Sequence, residues 1–114
     1  MHFVISIIFV IFTKTLFMNT EIEEIVRFAC EYFGIKEGKV YSHNTSDDCS
    51  ICRYILWYYL HYEKKMTTKQ IANEFFRTKI TVFKGIARIK NCMKMQRHYR
   101  DLYEKFIEEY KKLQ

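Results

Sequence analysis

The chain predicts an all-α domain of about five to six helices, and three observations carry that prediction. It has no proline and only three glycines, Gly34, Gly38 and Gly85, in 114 residues, whereas β-rich folds need more turn punctuation. Its apolar residues recur at three- and four-residue spacing rather than alternating. Thr20-x-x-Glu23 and Thr67-x-x-Gln70 both have the form of a capping box ahead of such a run. A hydrophobic content of 49%, with 18% aromatic residues, suffices for a core without disulfide or metal staples.

Residues 1–17 are an apolar leader that stands apart from the domain at 18–114. The uninterrupted stretch 2–12 is short for a bilayer span, and Lys14 breaks the remainder. A secretory signal would carry a basic n-region and a small-residue cleavage site, which the leader lacks. Met18 opens Met-Asn-Thr-Glu just before the first amphipathic run. The leader therefore reads as upstream read-through with translation starting at Met18, or as a membrane anchor or hydrophobic N-terminal helix. Membrane contact follows only if those residues are retained.

Within the domain, Ile22, Ile25, Val26, Ala29, Cys30 and Phe33 predict a first helix over 20–33, ended by Gly34 in a left-handed cap. A short helical turn over 36–41 precedes a polar loop at 42–46. Asp47 and Asp48 suit the positive end of a helix dipole, and the run 49–62 is apolar nearly all round, which predicts the central buried helix. A helix of about ten residues follows the Thr67 capping box and carries Ile71, Ala72, Phe75 and Phe76. Arg77 sits in a tight break, Thr78 is an N-cap, and a basic helix runs over 78–95. Two helices joined by about three residues, the second one basic, have the form of a helix-turn-helix. Tyr99, Leu102, Tyr103, Phe106, Tyr110 and Leu113 then mark a last helix that closes the core or, alternatively, meets a protein partner or a second copy through 99–113.

A net charge of +6 favours an acidic partner. The charge is concentrated: Arg77, Lys79, Lys84, Arg88, Lys90, Lys94, Arg97 and Arg100 occur with no acidic residue between them. At helical pitch Arg77, Thr81, Lys84 and Arg88 share one stripe, and Val82, Ile86, Ile89 and Met93 share another roughly opposite. Such a helix packs by one face and offers phosphate contacts by the other, although a merely solvated basic face has the same pattern.

The four cysteines do not make a strong zinc site, since Cys49-x-x-Cys52 has no second CxxC or HxxxH to complete it. They read as buried thiols in a reducing compartment, most simply cytoplasm. Tyr54, Trp57, Tyr58 and Tyr59 read as core rather than as a base-stacking platform. No nucleophile and base stand in a recognisable arrangement, so neither an enzyme nor a cofactor is expected.

Over 22–93 the chain resembles the C-terminal DNA-binding domain (domain IV) of the bacterial replication initiator DnaA. The resemblance rests on Cys30-Glu31-Tyr32-Phe33-Gly34-Ile35-Lys36, on Gln70-Ile71-Ala72 through Phe75, and on Arg77-Thr78-Lys79-Ile80-Thr81-Val82 with Arg88-Ile89 beyond. It implies a helix-turn-helix fold, similar in shape to the tryptophan repressor, that reads duplex DNA in the major groove. It implies that Thr78, Lys79, Ile80 and Thr81 occupy base-contacting positions, of which Thr81 alone keeps the family residue. Arg53 matches a phosphate-binding arginine, with an ion pair to Asp47 or Asp48 as its competing role, and Thr68 and Lys69 match positions near the backbone. The family's basic minor-groove loop corresponds here to His43-Asn44-Thr45-Ser46-Asp47. No GxxxxGK[ST] phosphate loop occurs, so the resemblance implies a freestanding module without ATPase activity, acting as a regulator or replication accessory.

On these grounds Arg77, Thr81, Lys84 and Arg88 are expected to hold phosphates. Lys79 and Thr78 are expected at base edges, with Ile80 against a thymine methyl. The alternative is a protein-interaction module that keeps the fold and has lost sequence-specific readout.

Overall fold

The computed structural model describes residues 21–42 and 46–114, and every regular element among them is helical. α1 is helical over 21–33, followed by α2 (Glu37–Tyr41), α3 (Asp47–Tyr62), α4 (Thr68–Phe75), α5 (Lys79–Met95) and α6 (Arg97–Lys112). The leader, Thr20 of the first capping box and residues 43–45 of the polar loop lie outside the described residues. Among those described, no helix is long and apolar enough to cross a membrane.

Local chemistry sets the helix ends. Gly34 adopts φ +69°, and the Gly34 and Ile35 amides donate to the carbonyls of Glu31 and Cys30, the paired bonds of a Schellman cap. At α4 the capping box forms in full: the Gln70 amide donates to Thr67 Oγ1 at 3.1 Å, and the Thr67 amide donates to Gln70 Oε1 at 2.9 Å. α4 spans 8 residues rather than about ten, because Phe76 turns left-handed at φ 57° and the Arg77 amide closes back on the Ala72 carbonyl at 2.9 Å. The break thus falls one residue earlier than the sequence suggests. A single extended residue, Gln96, separates α5 from α6.

α3 is the hub. Its Cys52, Ile55, Leu56, Trp57 and Leu60 are at most 1% exposed, and it packs against α2, α4 and α5. The last helix closes the core with aromatic edges: Phe28 meets Phe106 and Tyr110, with ring centroids 5.6 and 5.2 Å apart, and Tyr58 meets Tyr103 at 5.0 Å. Phe106 and Tyr110 of the 99–113 face are buried in this way, while Tyr99, Leu102 and Tyr103 are half-buried. Leu113 falls beyond the end of α6 and is 72% exposed despite its helical spacing. Cys30, Cys49 and Cys52 are buried free thiols. The Cys52 thiol donates to Cys30 sulfur, which lowers the pKa of Cys30 and raises that of Cys52.

α5 docks on α3 through Gly85. A Cβ there would lie 2.7 Å from Trp57 Cε3 and Cζ3 and 2.7 Å from Tyr54 Cδ1. Trp57 is fully buried and also packs edge-on against Phe75, so its ring has nowhere to retreat. Alanine would ordinarily improve a helix-interior glycine by about 0.5–1 kcal/mol, but overpacking a closed core costs about 1–3 kcal/mol. We expect Gly85→Ala to be destabilising on balance, by about 1–2 kcal/mol, read as a lower urea midpoint in an unfolding curve followed by Trp57 fluorescence.

A second expectation concerns alkali. Burial, with Tyr110 nearby, pushes the Tyr59 phenol up from 10.0 to about 12, and burial also raises Tyr103 and Tyr110. A group that holds its proton more tightly in the folded state contributes full stability below its unfolded pKa and loses that contribution as pH rises through the folded value. Stability should therefore fall between pH 10 and about 12. Phenolate absorbance and circular dichroism should change together, and Tyr59→Phe should make the alkaline decline shallower.

Candidate nucleic-acid interface

α4 and α5 are joined by the short turn Phe76–Arg77–Thr78, and the two helices pack on each other. Thr78 is the N-cap of α5: its Oγ1 accepts from the Thr81 amide at 3.2 Å and lies 2.8 Å from Thr81 Oγ1. The two hydroxyls thus lock each other at the start of the helix. Neither α4 nor α5 has an acidic residue in its first turn, so the positive ends of both dipoles are uncompensated by their own side chains. Thr68 is half-buried and Lys69 exposed in the first turn of α4.

The rotation of α5 about its axis follows from its packing. Val82, Gly85, Ile86, Ile89 and Met93 are buried, so Ile80, Lys84, Ala87 and Asn91, about half a turn away, point to solvent. Lys79, Lys84 and Arg88 are exposed, and no carboxylate among the described residues lies within ion-pair distance of them. The ion pairs found there are Arg97–Asp101 and Lys112–Glu109, both on α6. Arg88 also borders a groove between α3, α5 and α6 with Ser50, Tyr54 and Tyr99. Lys90 is engaged: its Nζ donates to the Tyr62 hydroxyl at 3.3 Å and stands 5.5 Å from the centre of that ring. Arg97, at the start of α6, pairs with Asp101, so the positive field beyond α5 is narrower than the run of cations suggests.

Of the two other arginines with expected phosphate contacts, Arg53 is buried and Arg77 is half-buried. Arg53 is 5% exposed, and its Nε donates to the Val40 carbonyl at 3.1 Å while Nη2 reaches those of Lys39 and Ser42 at 3.3 and 3.1 Å. These carbonyls sit at the C-terminal end of α2, where helical backbone leaves acceptors without partners and favours a cation. The Arg53 guanidinium therefore serves the fold. Arg77 Nη2 donates to the same Ser42 carbonyl, and partial burial, with Arg53 beside it, lowers the Arg77 pKa, although a guanidinium stays charged at any physiological pH.

Sequence reasoning missed an apolar feature of this face. Phe76, Ile80 and Phe83 are 77%, 65% and 64% exposed, the largest such group near α5. Phe76 keeps an edge contact with Tyr41, ring centroids 6.3 Å apart. The available signal was phase, because Phe83 stands well off the Val82–Ile86–Ile89–Met93 stripe and so cannot share its burial.

No protein-family model matches the chain, and no curated protein matches it.

The position of Arg53 has a direct consequence. Replacing it takes a charged donor from three backbone acceptors at the end of α2, of which Lys39 keeps Ser42 Oγ and Ser42 keeps Arg77, and hydrogen bonds to charged groups are worth about 1.5–3 kcal/mol. We expect Arg53→Met to lower unfolding free energy by about 2 kcal/mol, measured by urea titration. Hydrogen exchange should show its greatest loss of protection at α2.

Proposed function

We propose that this protein binds double-stranded DNA through the α4–α5 helix-turn-helix, in the manner of the DnaA C-terminal domain that it resembles. It would do so in the cytoplasm as a regulator or replication accessory with no ATPase motif in its 114 residues. The observation that carries this reading is the outward face of α5, where exposed Lys79, Lys84 and Arg88 have no described carboxylate to neutralise them. A duplex backbone supplies the missing counter-charge. The acid-free N-termini of α4 and α5, with Lys69 beside the first, add backbone amides and dipoles suited to phosphate. α5 is 17 residues long, about 25 Å, and a major groove about 12 Å wide admits such a helix.

The roles divide by position. Lys69, Lys84 and Arg88 hold phosphates, and Lys79 with Ile80 stands at the leading end of α5, where base edges come within reach. Thr78 and Thr81 shape that end by capping it, and each hydroxyl keeps capacity for one further contact. Arg53 and Arg77 act behind the interface, fixing the end of α2 to the turn. A protein-docking reading draws on the exposure of Phe76, Ile80 and Phe83 and would use this same face rather than α6.

Fluorescence anisotropy with a labelled random-sequence duplex pool tests the proposal. Neutralisation of roughly three to four phosphates should make log affinity fall against log salt with a slope of about −3 to −4. Lys84→Glu should remove most of the binding and flatten that slope while leaving the urea midpoint unchanged. An affinity indifferent to salt in the unaltered protein would refute DNA binding.

A further inference from the structure

We propose that Ile80 and Phe83 form an apolar reading edge that selects thymine, burying C5-methyl groups in the major groove of A·T-rich duplex DNA. This rests on the DNA-binding reading above and specifies what that interface recognises. Ile80 and Phe83 are one helical turn apart and 65% and 64% exposed, an unusual exposure for residues of that size so close together. They rise from a surface on which Lys79 precedes Ile80, Lys84 follows Phe83 and Arg88 stands a turn further on, each exposed. An apolar protein groove would have to bring carboxylates to match these cations. A duplex already pairs a polyanionic rim with apolar groups on the groove floor, and the thymine methyl is the apolar group exposed there.

The spacing agrees with this occupant. Three residues of helix advance about 4.5 Å, and stacked base pairs advance about 3.4 Å, so Ile80 and Phe83 reach neighbouring steps rather than a single base pair. Phe83 and Ile80 carry no hydrogen-bonding group and cannot distinguish guanine from adenine by its acceptors. Their discrimination is confined to methyl contact and the exclusion of water, which is an A·T preference rather than a fixed word. Phe76, at the turn and leaning on Tyr41, borders the edge without belonging to α5.

The test compares two 20-base-pair duplexes that differ only in the methyl group, alternating dA-dT and alternating dA-dU, by fluorescence anisotropy at one moderate salt concentration. Each buried methyl is worth about fourfold in affinity. Two contacts should therefore make the thymine duplex bind about fifteenfold more tightly. Ile80→Ala/Phe83→Ala, checked for helicity by circular dichroism, should bring the two duplexes to within about twofold of each other. Equal binding of both duplexes by the unaltered protein, with its steep salt dependence intact, overturns the reading edge and leaves DNA binding standing. Absence of salt-dependent binding to either duplex overturns DNA binding itself. Self-association of the unaltered protein that the double substitution abolishes would assign the edge to a second copy instead.

Discussion

The missing side chain at Gly85 is the constraint on which the rest of the α5 geometry depends. Two aromatic rings of α3, Trp57 and Tyr54, lie where a Cβ would be, so the helices meet with backbone against ring rather than side chain against side chain. That contact determines the rotation of α5 as well as its distance, since the glycine must face α3. Val82, Ile86, Ile89 and Met93 then fall inward, and Ile80 and Lys84 fall outward. A glycine inside a helix is ordinarily unfavourable by about 0.5–1 kcal/mol relative to alanine. Here the close aromatic packing of a fully buried tryptophan offsets it.

The distribution of charge follows the same division of the molecule. Carboxylates fall on α1 and α2, at the start of α3, on Glu63 and Glu74, and on α6, and none lies between Glu74 and Asp101. On α6 they are near cations of the same helix, as Arg97–Asp101 and Lys112–Glu109 show, and exposed pairs of this kind contribute little to stability. α5 has only cations. Lys90 is partly absorbed by Tyr62, and Lys94 stands apart in the last turn, which leaves Lys79, Lys84 and Arg88 as the concentrated part of the field. The proposed interface is therefore short and lies toward the N-terminal half of α5, where the dipole adds to the side-chain charge.

Helices and their inward faces were legible in sequence because hydrophobic period and capping chemistry are local. Thr67 with Gln70, Thr78 ahead of α5, Gly34 after α1 and the buried stripe of α5 all follow from residues within a turn or two of one another. What was not legible depended on contacts distant in the chain. Gly85 reads as one glycine among three until Trp57, twenty-eight residues away, is brought against it. Arg53 matches a phosphate-binding position by resemblance, yet its side chain is buried and donates to the carbonyls that end α2. Phe76 takes a left-handed conformation that sequence would assign to glycine or asparagine. Leu113 keeps the period of its helix and remains exposed because α6 ends before it. Periodicity says which residues share a face, but only the fold says whether anything covers that face.

Rigidity of the turn ahead of α5 has a thermodynamic consequence for any partner. A non-glycine residue in the left-handed region carries about 1 kcal/mol of strain, and Phe76 is held there by the Arg77 amide on the Ala72 carbonyl and by its edge on Tyr41. Arg77 and Arg53 both reach the Ser42 carbonyl, so the turn, α2 and α3 share one polar anchor. Thr78 and Thr81 close the first turn of α5 from the other side. A helix start restrained by three separate sets of contacts has little conformational freedom left to lose on binding. Ordering costs are among the main terms that separate buried area from affinity. A small face built from three cations and two apolar side chains can therefore act as a binding surface without a large contact area, because its geometry is already set by the fold behind it.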